Sequence, residues 1–199
     1  MSNTKVDGRT LRHQHRRGEL LSALTEYVLD NGIRGLSLRP AAHAVGVTHA
    51  TLLRHFVSKE DLLLEVVDTV RRDFLTQLWA DVDLQSAQST HDLMRTAWRR
   101  LKEPREQRQF LLLFEVIGDA ARQPESVGRL SQTIIQDWLE PIERTLVQDG
   151  WDSAQASAVA TLLLAQVRGL QLDLLVSGDR RRADIAFELA LDLVRRQTP

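Results

Sequence analysis

The sequence predicts an all-α protein of about nine helices. Three observations carry that reading: apolar residues recur three and four apart through nearly every segment, capping residues and glycine stops punctuate those segments, and no stretch alternates apolar with polar as a half-buried strand does. At 199 residues the chain can bury a substantial core. Its 43% hydrophobic and 27% charged residues match ordinary globular usage, which argues against a disordered or fibrous chain. The expected arrangement is an N-terminal three-helix unit with a helix-turn-helix, residues 1–58, followed by a larger helical domain, residues 59–199.

The first helix is expected from about Thr10 to Asn31, with Leu20, Leu21, Leu24, Tyr27 and Val28 on one stripe and Asn31-Gly32 as its stop. Gly18 inside it costs about 1 kcal/mol relative to alanine, so the basic start of this helix is expected to fray without a partner. Ser37 is a good N-cap for a short second helix to about Ala44, with Pro40 in the first turn, where its missing N–H matters least. Val45-Gly46-Val47 reads as a tight turn, and Thr48 is placed to cap a third helix from His49 to about Phe56. Two short helices joined by a glycine turn make a helix-turn-helix. Ser58 caps a long fourth helix, whose buried stripe is Leu62, Leu63, Val66, Val67, Val70, Phe74 and Leu78.

Asp81 to Thr90 is polar and reads as a loop. Further helices are expected at about His91 to Lys102, Glu106 to Arg122 (entered through Pro104), Ser126 to Gln148, Ser153 to Ser177 and Arg180 to Arg196. Pro141 removes the amide that would bond Asp137, so the helix holding it should kink or restart there. The last two helices carry apolar residues on more than one side, and a helix apolar all round must be covered all round. A homodimer through those two helices, as an intermolecular four-helix bundle, supplies the cover.

Charge is unevenly spread. The chain has 26 Lys plus Arg against 27 Asp plus Glu, yet residues 1–58 hold eight basic and four acidic side chains, a local +4 that leaves −5 downstream. Five of the six histidines (His13, His15, His43, His49 and His55) lie in the same segment. Such a split suggests that the first segment meets a polyanion. There is no cysteine, which removes disulfides, thiolate nucleophiles and Cys-ligated metals. The densest apolar run, Phe110 to Phe114, is stopped by Glu115, and no run approaches the ~18 residues of a membrane span. The basic N-terminus lacks an apolar signal segment. The expectation is a cytoplasmic protein with no membrane partner.

The stretch from Gly32 to Leu63 is the most informative. Gly32 ends the first helix, Ser37, Ala41 and Ala42 make a capped second helix with small residues, Gly46-Val47-Thr48 makes the turn, and Thr51-Leu52, Arg54-His55-Phe56, Ser58-Lys59-Glu60 and Leu62-Leu63 follow. As a block these resemble the DNA-binding signature of the TetR family of bacterial transcriptional regulators. A second helix braces a third so that its N-terminal side chains enter a major groove, while flanking groups grip phosphates. Leu52 and Phe56 are expected to face the core, with Thr48, His49, Thr51 and His55 facing outward. His49 and Thr51 are candidates for base edges, and Ala50 for a thymine methyl. Ser37, Arg39, His55 and Lys59 are candidates for phosphate contacts. The basic start of the first helix is expected to add contacts independent of sequence.

Three positions depart from the family pattern: Leu53 stands where a tyrosine usually touches the DNA backbone, Ala41 where a larger apolar residue is usual, and Pro40 beside it is unusual. For the remainder, the resemblance implies a domain that dimerises and holds an unidentified small-molecule effector between helices. Trp79, Trp98, Phe110, Phe114 and Trp138 are candidates for the walls of that cavity, and Glu115, Gln166 and Arg168 for its polar contacts. If Arg168 is buried it needs an anion, for which Asp173, Glu115 or a ligand could serve. The function implied is a regulator, with repression expected, that binds double-stranded operator DNA. The alternative is a helical dimer that binds ligand or partner with weak or lost DNA binding.

An enzyme is not expected: the sequence has no G-x-S-x-G, no phosphate-cradling glycine loop and no H-E-x-x-H. His43, His49 and His55 are six apart, about 240° around even one continuous helix, so they do not converge on a metal. No cofactor is implied.

Overall fold

The structure is a computed structural model and describes residues 8–33, 36–120 and 124–196. Among the described residues every regular element is an α-helix: α1 (Gly8–Asn31), α2 (Leu38–Ala44), α3 (His49–His55), α4 (Lys59–Trp79), α5 (Val82–Gln85), α6 (Thr90–Leu101), α7 (Pro104–Ala120), α8 (Pro124–Gln148), α9 (Ser153–Ser177) and α10 (Arg180–Arg195). Short side chains start most of them. Thr48, Ser58, Ser89 and Asp152 each accept from an amide of the first turn. The expected cap at Ser37 differs, since its backbone is extended but its hydroxyl makes no capping bond.

The extra element, α5, lies in the stretch read as a loop. Asp81 accepts from the Asp83 and Leu84 amides, and Leu84 is buried. One cap and one apolar anchor are enough for a single turn, too short for periodicity to reveal. Nor does α8 restart at Pro141: the helix runs on, and Ile142 and Leu146 bury in the core just beyond it. Tertiary packing there outweighs the one missing amide bond.

Two apolar clusters form the core. One gathers α1, α2, α3 and the first half of α4, and takes Leu112 and Val116 from α7. The core that seats the helix-turn-helix therefore runs past residue 58. The second joins the end of α4 with α5, α6, α8, α9 and α10. Between them stands α7, with Leu112 and Val116 buried in the head's core, Leu113 and Ile117 packed at its border, and Gln109 and Phe110 toward the larger body.

The strict run-length reading misses α9, which by length and composition could cross a membrane, with mean hydropathy 1.5 over 18 residues. Arg168 and Asp173 interrupt its apolar run without lowering the average below that mark. In the fold α9 packs most extensively on α8 and α10 and buries Leu163, Leu164, Val167, Leu170 and Leu174. Its other side leaves Leu162, Leu172 and Val176 exposed, and α10 likewise buries Phe187 and Leu191 while exposing Ile185, Leu189 and Leu193.

Candidate nucleic-acid interface and ligand cavity

The helix-turn-helix is set by one backbone position and two anchors. Gly46 has φ +73, a left-handed conformation that a side chain would strain. The turn closes through Val47 N–H to the Ala42 carbonyl at 2.9 Å. Leu52 and Phe56 are fully buried, which fixes the rotation of α3 about its axis. Thr48 and Ala50 are consequently exposed, and His49, Thr51 and His55 half-buried. The Thr48 hydroxyl accepts from the Thr51 amide at 3.1 Å and lies 2.9 Å from the Thr51 hydroxyl, so the two threonines form one polar tip.

At the start of α2, Ser37 and Arg39 are exposed, and Lys59 is half-buried in the first turn of α4. A lysine there opposes the helix dipole, an arrangement that suits a bound anion. Leu53 is 41% exposed and Val57 86% exposed, so two apolar side chains accompany the polar ones.

Arg17 serves the fold in a way the charge pattern alone did not indicate. Its guanidinium pairs with Glu65 of α4, lies 5.1 Å from the Phe56 ring centre and donates to the His55 carbonyl at 3.5 Å. It clamps α1, the end of α3 and α4 together. The signal was available: Arg17 stands three and four residues before Leu20 and Leu21, on the inward stripe.

A cavity of about 150 Å³ opens between α4, α7, α8 and α9. Phe110, Phe114, Trp138 and Arg168 line it, together with Phe74, Gln109 and Gln171. Phe110 and Phe114 lie 6.0 Å apart, and Phe74 and Trp138 5.2 Å. The other sequence-derived candidates lie elsewhere. Trp98 is buried against α10, stacked 5.0 Å from Phe187 with its indole N–H on Asp184 at 2.8 Å. Gln166 points to solvent from the outer side of α9. Glu115 turns toward the head and accepts the Ile33 N–H at 3.0 Å. The Trp79 side chain lies outside the described residues.

Arg168 is the unusual group in the cavity. Burial holds its pKa below the ordinary guanidinium value, and no carboxylate among the described residues counters that effect. Neither protein acid suggested by the sequence reaches it, because Asp173 is paired with Arg182 at 2.6 Å and Glu115 with Ile33. Arg71, also partly buried, shows the ordinary solution, held between Asp68 and Asp137. Two further amide atoms in the lining, Gln109 Oε1 and Gln171 Nε2, are buried without a partner. Among the described residues no three His, Asp or Glu side chains gather around a metal-sized site.

Residues 20–66, spanning the end of α1 through the start of α4, match the family described as bacterial regulatory proteins, tetR family. The head thus matches a TetR-family N-terminal domain. Its sequence is 38% identical over 65 residues to the HTH-type transcriptional repressor KstR2 of Mycobacterium tuberculosis, a segment covering 33% of this chain and 30% of that protein. Similarity of fold extends over nearly the whole chain. A transcriptional regulator from Rhodococcus sp. Rha1 superposes with TM-score 0.77 at 21% identity, over 90% of this chain and 96% of that one. The multidrug binding protein EbrR, in complex with imidazole, does so with TM-score 0.63 at 23% identity, over 89% and 94%. A TetR-type helix-turn-helix thus sits on a helical C-terminal body.

Proposed function

We propose that the chain is a homodimeric repressor that binds a near-palindromic operator and changes its grip when a small molecule occupies the cavity beside α7. Residues 1–58 act as the DNA-binding unit and residues 59–199 as the effector-binding and dimerisation part. The observation that carries this reading is the orientation of α3, which buries Leu52 and Phe56 and leaves Thr48, His49, Ala50 and Thr51 at its solvent-facing start. Thr51 and His49 read base edges and Ala50 meets a thymine methyl, while Ser37, Arg39, His55 and Lys59 hold phosphates.

The exposed apolar row on α9 and α10, made by Leu162, Leu172, Val176, Ile185, Leu189 and Leu193, supports a dimer through those helices. Two heads joined this way reach successive major grooves only at one separation. An effector that binds one separation better shifts the population between DNA-competent and incompetent forms. EbrR, similar in fold, is itself a multidrug binding protein. A bound dimer obstructs polymerase, hence repression.

Electrophoretic mobility shift with the DNA upstream of the chain's own gene tests the reading. A sequence-selective shift that weakens steeply with salt is expected, and its absence at micromolar protein overturns the assignment. Leu53 favours the second reading, a ligand-binding dimer with lost DNA binding, because it puts an apolar group where a hydrogen-bond donor is usual. That reading gains if only non-selective binding is found.

A further inference from the structure

We propose that the cavity takes a small amphipathic monocarboxylate, its apolar body among the aromatic side chains and its carboxylate on Arg168 and Gln171. The inference rests on the reading of this cavity as the effector site and adds the chemical class of the ligand. Arg168 and Gln171 stand three apart on α9 and so share one side of the helix. Arginine cannot shed its proton to escape burial, so its half-buried charge is best met by an anion. Among the described residues none is supplied: Glu106 is the carboxylate that also lines the cavity, and it forms no ion pair with Arg168. The guanidinium fork matches a carboxylate in two parallel hydrogen bonds, and the partnerless Nε2 of Gln171 adds a third donor.

Charge and size narrow the class. One cation neutralises one negative charge; a phosphate dianion would leave surplus negative charge beside Glu106, and a cationic ligand would face Arg168. A volume of about 150 Å³ is that of a dry cavity that holds one benzene ring, so the apolar body is a single ring or a chain of similar bulk. Gln109 Oε1 leaves an acceptor that a hydroxyl or N–H on that body would satisfy.

Isothermal titration calorimetry of the full chain at neutral pH with 3-phenylpropionate, 3-phenylpropanol and 3-phenylpropylamine is the test. The acid is expected to bind at least tenfold more tightly than the alcohol, with the amine weakest. Arg168→Met should erase that preference and raise the melting temperature of the unliganded protein, since it removes a half-buried charge that lacks a partner among the described residues. The proposal is overturned if the alcohol equals the acid, if none of the three binds, or if Arg168→Met lowers the melting temperature, which would reveal a protein counterion in solution. Operator binding on the same preparation reports the regulator reading separately. Acid preference without a DNA shift keeps the site and removes the effector role, whereas a DNA shift without acid preference overturns the ligand class alone.

Discussion

The Glu115 carboxylate of α7 accepts the backbone N–H of Ile33, 3.0 Å away and 82 positions earlier in the chain. The same carboxylate packs against Gly32, whose φ of +70 ends α1, and a Cβ there would come within 3.3 Å of both its oxygens. Two turns before, Arg108 pairs with Asp30. The opposite side of α7 carries Phe110 and Leu113 into the cavity. Any displacement of α7 would therefore be passed directly to the C-terminal end of α1, on which the head is built.

Glu115→Ala leaves the Ile33 amide without its acceptor and should cost about 1–2 kcal/mol in denaturant unfolding. Glu115→Gln keeps an acceptor oxygen and should cost less. Amide exchange at Ile33 should accelerate in the alanine variant, and ligand should alter its operator affinity less than in the parent. An unchanged exchange rate at Ile33 would show that the contact does not persist in solution.

Arg17 joins three elements, so Arg17→Met should destabilise the head by about 1 kcal/mol, a modest value because its side chain is 36% exposed and solvent screens the pair with Glu65. Arg54→Ala, at an exposed position on α3, should leave the melting temperature unchanged and weaken DNA binding alone. Equal melting temperatures for both variants would remove the clamp role of Arg17.

These two arginines mark how far sequence reading reached. Helix positions, the turn at Gly46 and the inward setting of Leu52 and Phe56 were legible because period and caps are local signals. Charge alone groups Arg17 with its basic neighbours, whereas its register places it on the inward stripe. Gln109 and Gln171 could have been noticed the same way, as polar residues at core positions. The place of Trp98 was not legible: its Asp184 partner is 86 residues away, and only the packing of α6 on α10 brings them together. Aromatic content nominated walls for a cavity, but long-range packing decided which rings face it.

The two threonines at the tip of α3 separate folding from reading. Thr48→Ala removes the cap on the Thr51 amide and should cost about 1 kcal/mol. Thr51→Ala keeps that amide and its cap, so the fold should be intact while base preference relaxes at one operator position, by about 1–3 kcal/mol of discrimination. Lys59→Ala should weaken all sequences alike and flatten the salt dependence. Fluorescence anisotropy with single-position operator variants across a salt series distinguishes them, and identical behaviour of Thr51→Ala and Lys59→Ala would refute the roles assigned.

Asp184 ties pH to the joint between α6 and α10. Burial raises its pKa, but hydrogen bonds from Lys102 and Trp98 outweigh that effect and hold it below the ordinary value of 3.8. A carboxyl with a depressed folded-state pKa contributes stability that is present above its unfolded value and lost as pH falls through the folded one. Unfolding midpoints should therefore drop below pH 3.8, and Asp184→Asn should lose part of that pH dependence. An identical acid profile in the variant would show that other carboxylates carry it.

Charge reversal on the last two helices tests the assembly without touching the core. Leu172 and Leu189 are exposed, so Leu172→Glu combined with Leu189→Glu leaves each folded chain as it is and places four like charges in the proposed bundle. Sedimentation velocity should then give monomers with unchanged helicity. Operator affinity should fall far more than it does in Lys59→Ala, because two heads no longer bind as one unit. A dimer that survives both glutamates must be built on another surface, and the separation of the heads would then be set by different helices from α9 and α10.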